Sequence, residues 1–292
     1  MAEKEIVSID GNVFSKEDAK ISVFDHCLLY GDGVFEGIRI IGNKVILLDS
    51  HIDRLYASAK NIRLKMPFEK EKMKGQILKA CKESGIENGY IRLVMTRGIG
   101  DLGINPAKCA NGKTIIIVAK LALYPEERYE NGLKVVFTPT RKISVQNWNG
   151  RVKSCNYLNN IMATWEFLDG NADEGIMLDL NGYVSEATVD NVFAIRGNKL
   201  FTPSLATNCL EGITRNAVME IAKEKGMEVE EGFYVYHDFI TADEIFLTGT
   251  GAGIIPVTKT NTAEISGGKI GEKTRALRSA YEARIKETGT QI

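Results

Sequence analysis

Lys153 and Glu186 are the two residues whose types could do chemistry together. Lys153 precedes a short polar stretch, and Glu186 follows an Asn-Gly turn on an apolar strand. A lysine amine condenses with an aldehyde to form an imine, and a carboxylate keeps a heteroaromatic ring nitrogen protonated so that the ring accepts electrons. A carboxylate on such a strand also needs a cationic partner, which a protonated ring would supply. Most lysines are simply solvated, so the pair matters more than either residue.

Two further segments have the composition of phosphate cradles. Gly212-Ile213-Thr214 opens a predicted helix, whose N-terminus offers unpaired N–H groups and partial positive charge. Gly249-Thr250-Gly251 follows an apolar strand, and such turns form nests of N–H groups that bind anions. The alternatives are an N-cap role for Thr214 and an ordinary glycine turn. Together with Lys153 and Glu186, the two cradles predict pyridoxal phosphate rather than a dinucleotide, whose G-x-G-x-x-G spacing is missing.

Two other residues are predicted beside the cofactor. Arg54 lies at the edge of the apolar stripe of a predicted helix, where a solvated arginine is the alternative. Tyr157 comes one helical turn after Lys153, so both would lie on the same side of a helix. Its hydroxyl would then hydrogen-bond a phenolic oxygen next to the imine.

The predicted substrate residues come from the N-terminal part. Period-2 alternation puts Tyr90 and Arg92 on the same face of a strand, and an arginine beside a tyrosine suits a carboxylate. Tyr30 and Phe35 lie in a segment with three glycines and could wall an apolar pocket. Packing in the core is the alternative for both aromatic residues.

Composition limits the classes of function. The chain has 292 residues, enough for two domains, and a net charge of −1, which favours neither nucleic acid nor an anionic membrane. Five scattered cysteines predict reduced thiols, and three distant histidines indicate no local metal motif. The first residues lack a signal peptide, and the longest apolar stretch is too short to span a membrane. These features predict a soluble, cytoplasmic protein.

The hydrophobic pattern predicts an α+β fold with two domains and a site in the cleft between them. An N-terminal domain over residues 1–120, a linker over residues 121–132 and a C-terminal domain over residues 133–292 are expected. The N-terminal domain has predicted strands at 44–48, 90–97 and 113–120 and two helices, the first capped by Asp49 or Ser50. The C-terminal domain has hairpins turning at Asn181-Gly182, as type I′, and Gly197-Asn198, and helices at about 156–168, 214–225 and 271–286.

Six separated motifs resemble the fold-type IV pyridoxal phosphate enzymes, and most closely the branched-chain amino acid aminotransferases. The resemblance runs from about Ile9 to Ile285 and keeps the order of the motifs. They are residues 24–39, His51-Ile52-Asp53-Arg54-Leu55, residues 153–160, residues 179–186, Gly212-Ile213-Thr214-Arg215 and Thr248-Gly249-Thr250.

The resemblance implies a role for each candidate. Lys153 would form the Schiff base, Glu186 would bind the pyridine nitrogen, and Tyr157 would contact the phenolic oxygen. The implied phosphate ligands are Arg54, Ile213, Thr214 and Thr250. The implied substrate residues are Tyr30, Phe35, Tyr90, Arg92, Gly251 and Ala252.

The resemblance also implies a fold and a reaction. The fold, like that of D-amino acid aminotransferase, would join a smaller N-terminal α/β domain to a larger, β-rich pseudo-barrel domain with helices. The reaction would be ping-pong transamination between leucine, isoleucine or valine and 2-oxoglutarate. Homodimers with the active site near the subunit interface are expected.

Three alternatives stay open. The helix at residues 51–59 also resembles D-amino acid aminotransferases, but their Arg-x-His clamp is absent between Arg97 and Pro106. Aminodeoxychorismate lyases share the fold and the lysine, and a non-catalytic cofactor-binding protein is the third alternative. Two segments depart from the family pattern, namely Gly251-Ala252-Gly253, which lacks a glutamate, and residues 143–151.

Overall fold

The computed structural model describes residues 3–120 and 124–292. The chain divides into two compact units. The first unit comprises Met1–Leu121, Val152–Asn156 and Ile285–Ile292, and the second comprises Ala122–Arg151 and Tyr157–Arg284.

The first unit is built on an antiparallel sheet with the strand order β15-β4-β3-β5-β6-β1-β2. Labels follow chain order, so β15 is the last strand of the chain. The elements are β1 Ile6–Ile9, β2 Asn12–Phe14, α1 His26–Tyr30, β3 Gly33–Ile41, β4 Lys44–Val45, α2 Leu48–Asn61, α3 Lys70–Ser84, β5 Gly89–Thr96, β6 Thr114–Ala119 and β15 Thr290–Gln291.

Helix α2 packs on the sheet through the apolar stripe that its sequence predicts. Ile52, Leu55 and Ala59 have no exposed surface, whereas Tyr56 and Ile62, at the edges of the predicted stripe, are only half-buried. Burying side chains of the size of Ile52 or Leu55 contributes about 1.5–3 kcal/mol each. The period of 3.6 residues therefore predicted both the helix and its buried side.

The predicted start of α2 was wrong. The helix begins at Leu48, and its N-cap position is Leu47, which has a left-handed φ of 51° and makes no side-chain capping bond. Leu48 is buried, so its contribution to the core extends the helix toward the N-terminus. Asp49 lies inside the first turn and forms an ion pair with Lys74 instead of capping.

The second unit is built on an eight-stranded mixed sheet in the order β12-β11-β10-β13-β14-β7-β8-β9. Its apolar core cluster consists mainly of buried side chains from the strands of this sheet, to which Phe239 of a short helix is added. The elements are α4 Glu126–Asn131, β7 Leu133–Phe137, α5 Leu158–Asp169, β8 Glu174–Leu178, β9 Val184–Ala187, β10 Asn191–Arg196, β11 Lys199–Pro203, α6 Ile213–Glu224, β12 Glu228–Gly232, α7 Tyr236–Ile240, β13 Glu244–Gly249, β14 Gly253–Lys259 and α8 Glu272–Thr288.

Both predicted hairpins of the second unit are present, but the first has a different turn. Strands β8 and β9 are antiparallel, as are β10 and β11. Gly182 has a positive φ and Asn181 does not, so the turn is not type I′, which needs both. The reason is Asp179, whose carboxylate accepts hydrogen bonds from the N–H groups of Asn181 and Tyr183 at 2.8 and 2.9 Å and favours a longer turn.

The division of the chain differs from the predicted one in two places. Residues 152–156 belong to the first unit because their backbone bonds to β3, and the C-terminal residues belong there because β15 pairs with β4. Of the predicted linker, residues 121–123 lie outside the described residues, and Glu126–Asn131 form α4. The α+β fold class is confirmed.

Candidate active site

Lys153 is held on the edge of strand β3 by backbone hydrogen bonds. The N–H of Phe35 donates to the Lys153 carbonyl at 3.0 Å, and the N–H of Cys155 donates to the Gly33 carbonyl at 2.9 Å. The N–H of Lys153 donates to Ser58 Oγ at 3.2 Å. The lysine stem is therefore anchored by the sheet and by α2.

This placement corrects the expectation for Tyr157. Lys153 is not on a helix, because its segment pairs with β3, and α5 begins only at Leu158. Tyr157 occupies the N-cap position of α5 and belongs to the second unit. The prediction that Lys153 and Tyr157 lie one helical turn apart was therefore wrong. The role of Tyr157 beside the cofactor stays a prediction.

The Phe35 ring brings together the lysine and the predicted substrate residues. Lys153 Nζ and Arg92 Cζ each lie 4.6 Å from the ring centroid, and Arg92 Cζ lies 5.8 Å from the Tyr90 ring. A Cβ on Gly37 would collide with Tyr90 Oη, so the glycine makes room for the tyrosine. Phe35 is buried, which fits packing as well as a pocket wall. Cation–π contacts of this kind orient the two cationic side chains on the ring.

Tyr30 is placed by a short helix that sequence reasoning missed. Helix α1 begins after Asp25, whose carboxylate accepts from the Cys27 N–H, and ends at Gly31, which has a left-handed φ of 69°. An aspartate and a glycine at that spacing are the signal for both ends. Tyr30 is 38 % exposed, so packing in the core does not explain it, and its hydroxyl donates to the Leu102 carbonyl.

Arg54 is not a solvated helix arginine. Its Nε donates to Glu36 Oε1 at 2.7 Å and its Nη2 to Glu36 Oε2 at 2.8 Å, and His51 Nδ1 lies 2.8 Å from the same carboxylate. Glu36 and His51 are buried. Sequence reasoning missed Glu36 as the residue that orients Arg54. Its signal was a carboxylate between Phe35 and Gly37 in a mostly apolar strand.

The charge of Glu36 is maintained by its neighbours. Burial alone would raise the pKa of this carboxyl, but Arg54 and His51 overcome that effect and lower the pKa from 4.5 to about 2. Burial lowers the pKa of His51, which Glu36 opposes. The guanidinium of Arg54 is therefore held in a defined orientation by an ionised carboxylate at neutral pH.

Glu186 lies on β9 in the second unit, buried as predicted, with a cationic partner that was not predicted. Lys142 Nζ is 2.5 Å from Glu186 Oε1, and the Leu210 N–H donates to Oε2 at 2.9 Å. Asn191 Nδ2 lies 3.4 Å from the same Oε2. Burial opposes the charge on Lys142, but Glu186 outweighs it and raises the lysine pKa. No local sequence pattern connects residues 142 and 186, so this pair was not predictable.

The N-terminus of helix α6 has the features of an anion site. Gly212 is the N-cap residue and forms no side-chain capping bond, and Thr214 is buried in the first turn. The alternative in which Thr214 caps the helix is therefore wrong. A Cβ on Gly212 would collide with Asn191 Oδ1, so only glycine fits there. Uncapped N–H groups at Ile213 and beyond suit the phosphate of a cofactor.

The loop that carries Thr250, Gly251 and Ala252 connects β13 to β14. Tyr129 Oη donates to the Ala252 carbonyl at 2.9 Å, and a Cβ on Gly249 would collide with Asp190 Oδ1. Preceding the loop, the buried Oγ1 of Thr248 has no hydrogen-bond partner within the described part of the protein. A buried hydroxyl of this kind is consistent with a polar ligand nearby.

The unmatched segment at residues 143–151 is pinned by one side chain. Asn208 Nδ2 donates to the carbonyls of Ile143 at 2.6 Å and Trp148 at 2.8 Å. Its Oδ1 accepts from the Gly150 N–H at 2.7 Å. Asn208 thus orders the loop that precedes the lysine, and no sequence pattern indicated this role.

The family is decided by the match to a family model. The model for "Amino-transferase class IV" matches residues 33–260, which is most of the chain. The chain belongs to this family. A provisionally named branched-chain-amino-acid aminotransferase of Methanocaldococcus jannaschii is 42 % identical over 94 % of this chain and 95 % of its own. This class IV aminotransferase is therefore an enzyme of amino-group transfer.

Solved structures share the fold of this aminotransferase. Escherichia coli branched-chain amino acid aminotransferase superposes with a TM-score of 0.93 at 30 % identity, covering 96 % of this chain and 94 % of that one. The branched-chain enzyme of Thermobaculum terrenum, in its PLP-bound holo form, has a TM-score of 0.86 at 26 % identity, covering 97 % and 94 %. An aminodeoxychorismate lyase of Bacillus subtilis is also similar, at 33 % identity over 96 % and 95 % of the two chains.

Among the described residues, none of the helices combines the length and the apolar character that a bilayer crossing needs. All five cysteines are free.

Proposed function

We propose that this aminotransferase exchanges the amino group between branched-chain L-amino acids and 2-oxoglutarate by a ping-pong mechanism with pyridoxal phosphate. The Phe35 ring carries the proposal, because it contacts Lys153 Nζ and the Arg92 guanidinium at 4.6 Å each. An aromatic wall suits an aliphatic side chain, and an arginine suits the distal carboxylate of glutamate. A pocket with both features can alternate between the two substrates.

The residues present fit this cofactor. Lys153 supplies an amine for covalent attachment, and Glu186 supplies a buried carboxylate for a ring nitrogen. The uncapped helix N-terminus at Ile213 and Thr214 supplies N–H groups for a phosphate. Arg54 and Thr250 complete the proposed phosphate ligands, and Tyr157 is assigned to the phenolic oxygen. When bound, pyridoxal phosphate supplies an aldehyde for amines and a ring that accepts electrons.

Each residue then has a defined task. Lys153 Nζ would attach the cofactor and would move a proton to and from the substrate α-carbon. Glu186 would keep the ring nitrogen protonated, and Lys142 Nζ forms an ion pair with the Glu186 carboxylate. The N–H groups of Gly251 and Ala252 bind the substrate α-carboxylate, while Tyr30, Phe35, Tyr90 and Arg92 surround its side chain.

A half-reaction assay tests the proposal. Single L- and D-amino acids are mixed with cofactor-loaded protein, and the absorbance of the bound cofactor is followed. Bleaching by L-leucine, L-isoleucine or L-valine, with recovery on adding 2-oxoglutarate, is expected. Bleaching by D-alanine or D-glutamate alone would instead indicate a D-amino acid aminotransferase. A stable cofactor band that no amino acid changes would contradict amino-group transfer.

Aminodeoxychorismate lyase is the second candidate, because one relative of that name is 33 % identical to this chain. A lyase does not need a pocket that alternates between aliphatic and carboxylate groups. Conversion of aminodeoxychorismate, without amino transfer to 2-oxoglutarate, would favour it.

We also propose that the enzyme assembles as a homodimer. Helix α5 exposes an apolar stripe at i, i+3, i+4, i+7 and i+10, with exposed fractions from 49 % to 70 %. Contiguous apolar surface of this kind marks interfaces in soluble proteins. The stripe consists of Leu158, Ile161, Met162, Trp165 and Leu168. We expect the wild type to sediment at the mass of a dimer and Trp165→Glu to shift the sedimenting species toward the monomer. A wild-type monomer would contradict this assembly.

A cytoplasmic location stays a prediction from the scattered cysteines.

A further inference from the structure

Two of the five cysteines lie side by side at the start of β3. The Cys27 Sγ is 2.7 Å, and the Cys155 Sγ 3.3 Å, from the position that a Cβ on Gly33 would take. Any side chain at residue 33 would displace the sulfurs, whereas glycine leaves room for both. Both sulfurs therefore lie against the same backbone position.

The backbone around both thiols is fixed. The Cys27 N–H donates to Asp25 Oδ1 at 2.9 Å, and its carbonyl accepts from the Gly31 N–H at 3.0 Å. The Cys155 N–H donates to the Gly33 carbonyl at 2.9 Å. The sulfurs therefore approach each other without a rearrangement of the elements that carry them.

The two thiols are not equivalent. The hydrogen bond from Cys27 lowers the pKa of Cys155 against the effect of burial, and the Arg92 guanidinium lowers it further. The same hydrogen bond, together with burial, raises the pKa of Cys27. Both residues are half-buried, so a small oxidant can reach them. A thiolate with a second thiol beside it is the arrangement found at redox-sensitive cysteines.

We propose that Cys155 and Cys27 are a redox modification site at which a hydroperoxide generates a reversible disulfide. The Cys155 thiolate attacks the terminal oxygen of the hydroperoxide, so that an S–O bond forms, the O–O bond breaks and sulfur is oxidised to a sulfenic acid. The other oxygen leaves as an alkoxide, or as hydroxide from hydrogen peroxide, and takes a proton from water. Cys27 sulfur then attacks Cys155 sulfur. The S–S bond forms, the S–O bond breaks, and the leaving hydroxide takes the Cys27 proton as water. A dithiol reverses the reaction by exchange.

The disulfide would join α1 to the segment that carries Lys153, two residues before Cys155. This segment is bonded to β3 through Phe35 and Gly33. A covalent bridge there restricts the backbone from which the lysine extends. Transient disulfides of this kind are the usual form of cysteine oxidation inside reducing compartments.

The test counts thiols in the full-length, cofactor-loaded protein before and after hydrogen peroxide. Wild type is expected to lose two of its five thiols. Peptide mass spectrometry should find residues 27 and 155 cross-linked, and dithiothreitol should restore both thiols. Cys109→Ser is the matched control, because Cys109 is half-buried in the same unit, and it should lose the same two.

Single variants separate the two steps. Cys27→Ser should accumulate a sulfenic acid at residue 155, which dimedone traps, and should yield no disulfide. Cys155→Ser should leave Cys27 reduced at the same dose. Thermal unfolding confirms that each variant is folded.

Three results would overturn the proposal. The first is that all five thiols of the wild type stay intact at doses that oxidise free cysteine. The second is a cross-link that includes Cys109. The third is that residue 155 does not react in folded Cys27→Ser. The readout is the covalent state of the cysteines, so the result does not depend on which substrate the enzyme uses.

Discussion

Each unit of this aminotransferase has a buried glutamate that bonds a cationic side chain, and these two glutamates differ in how they are bound. Glu36 in the first unit has no exposed surface and both of its oxygens bind Arg54, while His51 adds a third contact. Glu186 in the second unit is 6 % exposed and binds Lys142, one backbone N–H and, at 3.4 Å, the Asn191 amide. Arginine forms a rigid fork with a carboxylate, whereas lysine is a point charge on a flexible stem.

The difference separates positioning from chemistry. Glu36 is surrounded by partners that fix an arginine, so we expect its loss to affect stability first. Glu186 is paired with a flexible lysine and not with a rigid arginine fork, so we expect its loss to affect turnover first. The following predictions test this distinction, from the largest expected effect to the smallest.

Replacement of Lys153 should have the largest effect on turnover. Lys153→Ala should abolish turnover, because no other amine on the described β3 edge can attach the cofactor, and the unfolding free energy should change little. Steady-state transamination and urea unfolding measure the two effects. Substantial activity in the folded variant would remove the central role of this lysine.

Glu186→Gln should bind the cofactor but lower turnover about 10²–10⁴-fold, since a neutral amide cannot keep the ring nitrogen protonated. The matched control is Glu230→Gln, an exposed strand carboxylate of the same unit that pairs with Lys199. The control should retain wild-type turnover. Equal turnover in both variants would refute the proposed role of Glu186.

Glu36→Gln should lower the unfolding free energy by about 3–5 kcal/mol, the usual cost of removing one member of a buried ion pair. Asp53→Asn breaks an exposed pair with Lys70 and should cost no more than about 1 kcal/mol. Urea denaturation compares them. If both variants are equally stable, the Glu36 cluster does not have the structural role assigned to it.

Acid should remove the Glu36 contribution gradually. The pKa of this carboxyl falls from 4.5 to about 2 on folding, so its stabilisation is present above pH 4.5 and is lost as the pH falls toward 2. The full effect is about 3.5 kcal/mol at roughly 1.4 kcal/mol per pKa unit. The difference in unfolding free energy between wild type and Glu36→Gln, measured across this window, should shrink toward low pH. A constant difference would be evidence against an ionised Glu36.

Lys142→Met should have the smallest effect, about 2 kcal/mol in transition-state stabilisation, since a charge-assisted hydrogen bond to Glu186 is lost while the Leu210 N–H remains. Its specific signature is a pH-dependent absorbance of the bound cofactor that differs from wild type. Lys142→Arg should restore the wild-type profile. A purely structural lysine would change stability and leave the profile unaltered.

Local patterns predicted much of the fold. The buried stripe of α2 and the hairpin at Gly197-Asn198 followed from periodicity and turn residues, which act within a few positions along the chain. The type of the turn at Asn181 did not follow, because the carboxylate of Asp179 competes for the same N–H groups. The helix after Lys153 starts later than its pattern indicated, because the preceding residues hydrogen-bond to β3.

The sequence by itself determined the family, the α+β class and the residue types of the site, since a lysine, a carboxylate and glycine-flanked helix starts carry chemistry in their identity. Only the tertiary structure decided the partners: Glu36 for Arg54, Lys142 for Glu186 and Cys27 for Cys155. These pairs join positions that are 18, 44 and 128 residues apart in the chain. Charges and thiols at such separations meet only when strands align them, so no local pattern encodes the pairing.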